Sequence, residues 1–356
     1  MKKTWFLFLA IAVAAVAGSC GGGGPKDAEG FPPAETLTAD SVAIGEVLDV
    51  RSMALCGEYA VIHSPKTSKV IFRYRLPGWE FVDTTFTTGE GPEDVASEFY
   101  MQGSNRAGEI LWASSGNRHK LTKYRVADAM RRQEAIDIPY DLYIWRGNVY
   151  NDSLLYFSRV NYDQGKEFLY AAVLSDTLKK VDSLLCSSKV EVSRQGGGIS
   201  VWMYNTPMIL LQGDRAVLWY YGTENVVTYR IGPAGRLTDQ RVVFGDTLTY
   251  EKVQTMDFKN LKRDYFQSLL AATGDRLYFL RTQYDRVPDQ VPDKDNPRKV
   301  IAREVRVYDW AMNPVKKFLL EKLPASQVYL DALHEKIYAY DPDLDFEQVY
   351  VYDYKL

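Results

Sequence analysis

The 356-residue chain is 46% hydrophobic, 25% charged and 13% aromatic, and its 25 Tyr outnumber 15 Phe and 7 Trp. That is the make-up of a globular protein with a substantial core and many half-buried strands, built either as two ordinary domains or as one large closed β architecture. A formal net charge of −3 without a long Lys/Arg run sets nucleic acid aside as a partner.

Met1 to Ser19 carries Lys2 and Lys3, an apolar run from Trp5 to Ala17 and then small residues, the pattern of a secretory signal too short to span a bilayer comfortably. Ala17-Gly18-Ser19-Cys20 resembles the lipobox of bacterial lipoproteins, although the usual Leu three residues before the cysteine is missing. Lipidation is therefore expected at Cys20, with an ordinary cleaved signal peptide as the alternative. Gly21 to Gly24, Pro25 and the polar residues that follow read as a flexible tether over residues 20–40, and the folded domain is expected over 41–356. Cys56 and Cys186 are expected as two separate buried thiols, since they fall about two blades apart.

From Ser41 onward one pattern recurs: an apolar or aromatic run, a polar turn, then a second run ending beside a charge. The copies are Tyr59–Leu76, Glu109–Val126, Ser153–Leu174, Arg215–Ile231, Asp275–Trp310 and His334–Tyr354. Their spacing of roughly 45 to 60 residues is that of propeller blades. Each copy supplies the two middle strands of a four-stranded blade, and segments such as Gly198–Met203, Met208–Leu211, Leu237–Phe244 and Val315–Leu320 supply inner and outer strands. The predicted fold is all-β, a six-bladed β-propeller. The last copy leaves no residues for an outer strand, so Val42–Val50 is predicted to close the ring by pairing with the last blade. Leu261, Tyr265 and Leu269 at spacing four predict a short amphipathic helix within Tyr250–Thr273, and Val287–Val300 reads as a long hairpin loop in the fifth blade.

Gly89-Glu90-Gly91-Pro92-Glu93-Asp94 resembles the G-x-G-P-x-E/D turn after the first blade of the TolB-like six-bladed propeller lipoproteins of Bacteroidetes. Ile110 to Tyr124 is similar to the strand-turn-strand of the related NHL-type repeats, with Ser115-Gly116-Asn117-Arg118-His119 at the turn. Position 94 is Asp where the family commonly has Glu followed by Phe. The resemblance implies the propeller fold and an envelope location, on the periplasmic or cell-surface face of the outer membrane. It implies no catalytic residues.

The three histidines, His63, His119 and His334, fall in different blades without a metal-like spacing, so a histidine-rich zinc site is not expected. His119 is the candidate for a side chain projecting into the central channel. Asp341, Asp343 and Asp345, followed by Glu347, alternate as the ligands of a hard cation would, but the sharp-turn glycine of a calcium loop is absent. A solvated hairpin tip competes with calcium there, and no other cofactor is indicated. Glu90, Glu93, Asp94, Asn117, Arg118 and His119 fall on blade-edge loops, with the Glu90–Asp94 turn and His119 expected at opposite ends of the blade. Trp79, Trp112, Trp145, Trp202 and Tyr220-Tyr221 offer either an aromatic binding surface or inter-blade packing. These features predict a monomeric, membrane-anchored module that binds a protein or glycan. The alternative is a metal-dependent hydrolase or lyase with its site at the channel mouth.

Overall fold

The computed structural model describes residues 26–356 except 48, 90, 92–93, 96–98, 106–108, 116–118, 140–143, 145–146, 162–163, 189, 193–200, 204–206, 221–223, 246–263, 287–298, 323–326 and 342–346. Two short strands come first, β1 (Glu35–Leu37) and β2 (Ala39–Ala43). Blade one is β3 (Ser52–Cys56), β4 (Tyr59–His63), β5 (Ile71–Arg75) and β6 (Glu80–Thr85), and blade two is β7 (Phe99–Asn105), β8 (Ile110–Ser115), β9 (Lys120–Arg125) and β10 (Arg131–Asp137). Blade three is β11 (Gly147–Tyr150), β12 (Leu154–Asn161), β13 (Lys166–Leu174) and β14 (Leu178–Ser188). A separate hairpin of β15 (Val190–Val192) and β16 (Val201–Met203) leads to blade four, which is β17 (Pro207–Gln212), β18 (Arg215–Tyr220), β19 (Val226–Ile231) and β20 (Leu237–Phe244). Blade five holds β21 (Tyr265–Ala272), β22 (Leu277–Tyr284), β23 (Val300–Tyr308) and β24 (Pro314–Leu320), and blade six holds β25 (Gln327–Asp331), β26 (Lys336–Tyr340) and β27 (Gln348–Asp353).

The six-bladed propeller is as the repeats require, and every copy lands on the second and third strands of its blade. Apolar side chains alternate along each strand and meet the next blade. The core is consequently six clusters, one per interface: Val61 and Ile71 with Phe99 and Leu111 between blades one and two, for example, and Val305 and Phe318 with Ile337 and Tyr352 between five and six.

The ring is closed from the amino terminus. β2 pairs antiparallel with β27, Ala39 opposite Tyr352 and Ala43 opposite Gln348, so the closing strand lies a few residues before the predicted one. Residues 44–50 instead form the connection into blade one, with Ile44, Val47 and Val50 buried between blades six and one. Nor are residues 26–40 a free tether. β1 adds in parallel to β24 and makes blade five five-stranded, Asp27 and Glu29 pair with Lys317, Arg281 and Arg306, and Phe31 is fully buried between blades four and five. The apolar side chains Phe31 and Leu37, within a polar stretch, are what dock this segment.

Two other expectations change. Tyr265–Ala272 is a strand paired with β22, while residues 250–263 lie outside the described residues. A spacing of four puts side chains on one face of a strand as well as of a helix, so Tyr265 and Leu269 fit both. Gly198–Met203 does not enter a blade: its described part, Val201–Met203, pairs with Val190–Val192 in the added hairpin. Residues 287–298 lie outside the described residues, but β22 and β23 on either side pair with each other, and Asp285 and Lys299 close that hairpin with backbone and side-chain hydrogen bonds.

Candidate binding face

In an antiparallel four-stranded blade, the link between the second and third strands and the connector to the next blade leave at one end. In this chain that end carries the long segments 86–98, 189–206, 245–264 and 285–299. The opposite end carries short turns, such as Gly57-Glu58, Gly213-Asp214 and Asn151 to Ser153, where Gly57, Gly213, Asn151 and Asp152 take positive φ. One face is therefore elaborated and the other is trimmed. We refer to them as the loop face and the turn face.

On the loop face of blade two, the Gly89–Asp94 turn is wrapped around one carboxylate. Asp94 Oδ2 accepts from the Gly91 amide at 2.9 Å, Asp94 Oδ1 accepts from Thr87 Oγ1, and a short parallel bridge joins Thr88 to Val95. A Cβ on Gly91 would stand 2.8 Å from Asp94 Oδ2, and one on Gly89 would collide with the same oxygen. The motif's glycines thus make room for the Asp94 side chain, and Asp94 acts as a turn organiser. His119 closes the β8–β9 turn with a positive φ of 49°, and its carbonyl accepts from the Ile138 amide at 2.7 Å. It is half-buried.

The expected separation of these two loops is overturned. Asp94 lines a narrow crevice of about 40 Å³ together with Phe99, Ser115 and Lys120, the last two flanking the His119 turn. Both loops leave blade two at its loop-face end because the antiparallel meander requires it. Glu90, Glu93, Asn117 and Arg118 belong to the same two connections but lie outside the described residues, as does Cys20.

Behind this face the blade interfaces become polar. Among the described residues, most buried polar side chains lie in the strand halves nearest the loop face. His63 and Ser64 are there in blade one, Ser114 and Thr122 in blade two, Glu167 in blade three, Asn225 in blade four, Gln267, Thr282 and Arg303 in blade five, and Asp341 in blade six. Arg73, Gln102, Arg306 and Asp331 are the exceptions nearer the middle or the turn face. His63 stacks edge-on against Phe99 at 5.3 Å, and neither ring nitrogen has a hydrogen-bond partner. Burial, reinforced by Arg51, pushes its pKa down to about 4, so the ring is neutral at pH 7.

Between blades three and four, Tyr220 reaches Cys186 with Glu167 close by. Burial pushes the Cys186 thiol up to about 12, which makes it an inert thiol and not a nucleophile. Cys56 is likewise a buried thiol outside any disulfide, in blade one. Gln102 ties the inner walls of blades two and three, donating to Ser114 Oγ at 2.5 Å and to the Ile144 carbonyl at 3.1 Å, and Asn148 donates to the Ile209 carbonyl at 2.9 Å.

Asp341 is not on a solvated hairpin tip. It is 5% exposed on the side of blade six that faces blade five, where its charge supports that of the buried Arg303. Burial pulls the Arg303 guanidinium below its ordinary range, and Tyr284, Asp341 and Tyr352 act in the opposite sense. The alternating acid series is thereby split, with Asp343 and Asp345 outside the described residues. Among the described residues no three His, Cys, Asp or Glu side chains are grouped to hold a metal.

His334 stands on the turn face, where Nδ1 meets Asp331 Oδ2 at 2.8 Å and Nε2 meets Glu58 Oε2 at 3.0 Å, joining blades six and one. Trp79 and Trp112 are buried between blades, Trp79 edge-on to Tyr338 at 5.1 Å, and Tyr220 is buried too. Trp145 and Tyr221 lie outside the described residues, and Trp202 sits in β16. Glu167 and Arg303 escaped the motif search, although each stands as a charge inside an otherwise strand-like run.

No family model and no curated protein matches the chain. Solved structures do match. A protein assigned as exported from Bacteroides fragilis aligns over 89% of this chain and 94% of its own, with 10% identity and a TM-score of 0.52. A gluconolactonase from Xanthomonas campestris aligns over 88% of this chain and 89% of its own, with 10% identity and a TM-score of 0.46. The β-propeller domain of Cps50 (Swd1) from Myceliophteria thermophila aligns over 89% of this chain and 98% of its own, with 9% identity and a TM-score of 0.45. At these identities the likeness concerns the fold alone: the chain is built like other β-propellers, among them an exported Bacteroides protein.

Proposed function

We propose that the chain is an exported lipoprotein of the TolB-like, NHL-related propeller kind, held by Cys20 in the outer membrane on its periplasmic or cell-surface side. Its loop face is a non-catalytic binding module for a protein or glycan partner. The observation that carries this reading is the segregation of long connections and buried polar side chains to one face, while tight turns close the other. A surface varied in length and backed by fixed polar groups suits recognition. A metal-dependent hydrolase or lyase would need carboxylates converging at that mouth, whereas Asp341 is turned into a blade interface beside Arg303.

The test is a glycan array probed with the purified chain, alongside a variant whose 287–298 segment is replaced by a short Gly-Ser link and a turn-face control, Gly213→Ala. Binding lost in the first and kept in the second supports the reading, and equal binding by both refutes it. Palmitate labelling addresses the anchor: Cys20→Ala should abolish the label, and continued labelling would refute lipidation at Cys20.

A further inference from the structure

Among the described residues one fully buried cation has no direct partner. Arg303, on β23, is 7% exposed; its Nε is shut off from solvent without an acceptor, and its guanidinium forms no ion pair. Burial pulls the group below its ordinary range, and what Tyr284, Asp341 and Tyr352 return to it acts only through space. The other two buried arginines are paired directly, Arg73 with Asp83 and Arg306 with Glu29 and Glu304. An apolar side chain of similar volume in place of an unpaired buried charge is neutral or stabilising, so folding alone gives no account of the Arg303 guanidinium.

Polar groups approach it from both blades. Thr282 stands opposite Arg303 in the β22–β23 ladder and is 6% exposed. Leu280 and Val305, two residues further along each strand and on the same sheet face, pack against blade six. From blade six, Ala339 packs back against blade five in the same cluster, and Asp341, two residues on, continues its face. Guanidinium, hydroxyl and carboxylate therefore enter one seam, at its loop-face end, and the two charges stop short of an ion pair. Tyr284, the last residue of β22, is half-buried at the edge of the seam.

A ligand in this seam must accept from Arg303 without setting a second negative charge beside Asp341. An anion fails the second condition. Hydroxyl groups meet both, because each accepts from a guanidinium and donates to a carboxylate, and the several lone pairs of a carboxylate take a further donor beside any existing partner. The Tyr284 ring adds an apolar surface at the edge, suited to the C–H side of a sugar ring. We infer that the loop-face end of the seam between blades five and six is a subsite for a neutral hexose. Arg303 donates to one ring hydroxyl, Asp341 accepts from its neighbour, and Thr282 makes a third polar contact. The inference rests on the loop face being the binding face and names the chemistry of its ligand.

The test is calorimetric titration of the full chain with methyl β-glucoside, methyl β-galactoside and methyl α-mannoside, and with methyl β-glucuronide as the acidic control. At least one neutral glycoside should bind more tightly than the glucuronide, and Arg303→Met should weaken it by about tenfold or more, because hydrogen bonds from a charged donor are lost. Thr282→Val, which leaves both charges in place, should weaken it by about threefold or more. Both variants should keep a cooperative melt, since one exchanges an unpaired buried charge for an apolar chain and the other keeps the shape of the side chain. If Arg303→Met does not fold, Thr282→Val decides the matter. Tighter binding of the glucuronide, binding unchanged in both variants, or no binding of any glycoside overturns the inference. Glycan-array binding that still depends on residues 287–298 would, in each of those cases, leave the binding face itself standing.

Discussion

Phe31 offers the sharpest test of how the ring is held together. Its ring is fully buried, edge-on to Tyr308 at 5.1 Å, with Val217, Trp219 and Val226 from blade four and Leu277, Phe279 and Met312 from blade five around it. Phe31→Ala removes the one large apolar group by which residues 26–34 enter the core, and such truncations cost about 3 to 5 kcal/mol when the site cannot collapse. Collapse is resisted here because the walls are two rigid blades, and Asp27, Glu29 and β1 still hold the flanking backbone. With an unfolding entropy of about 2.1 cal/mol/K per residue over roughly 330 residues, that loss lowers Tm by about 4 to 7 °C. Differential scanning calorimetry of the full chain measures it, with Leu333→Ala, an exposed turn-face residue, as a control that should stay within about 1 °C. A Phe31→Ala protein melting within about 1 °C of the parent would show that residues 26–37 are not part of the cooperative unit.

Deleting Thr38 to Val50 removes β2 and bares the β27 edge, so the melting transition should drop and broaden; an unchanged transition would contradict closure by this strand. His63 is held neutral by burial, with its folded pKa about 4 lying below the ordinary value of 6.5. Its contribution is therefore complete above about pH 6.5 and lost as pH falls towards 4, on the order of 3 kcal/mol, and denaturant melts of His63→Leu should show a flatter pH profile across that window. Asp341→Asn should destabilise the protein, since it removes a negative charge that supports the buried Arg303, and urea unfolding reads this directly. Calcium should not shift the melting temperature of the parent chain; a saturable upward shift would return the acid series to the metal reading.

Blade count and blade placement were legible because they depend on short-range signals. An apolar run, a polar turn and a second apolar run make a hairpin wherever they occur, and six copies at a blade's spacing leave little room for another fold. Leu237–Phe244 and the core of Val315–Leu320 were recognisable as outer strands for the same reason. The helix expected around Tyr265 failed because a spacing of four does not separate the two periodicities. The tether failed because two apolar residues, Phe31 and Leu37, were outvoted by polar neighbours, and their partners lie more than 180 residues away.

The candidate site was legible only as loop positions. Gly89, Gly91 and Asp94 stood out as a motif, yet that the glycines clear space for the Asp94 carboxylate depends on where the side chain folds back. The blade assignment read from the sequence put the Glu90–Asp94 turn and His119 at opposite ends of the blade, while the meander brings their loops to one end of blade two. Asp341 read as one of four alternating acids, and only packing against blade five made it the companion of Arg303.

By itself, then, the amino-acid sequence determined that this chain is a six-bladed propeller, since strand alternation and turns are local properties. Tertiary structure decided that residues 26–43 lash blades four, five and six together and that long connections and buried polar groups share one face. These are matters of which side chains from distant blades come within contact distance, and Coulomb and packing energies are set by that distance and not by separation along the chain.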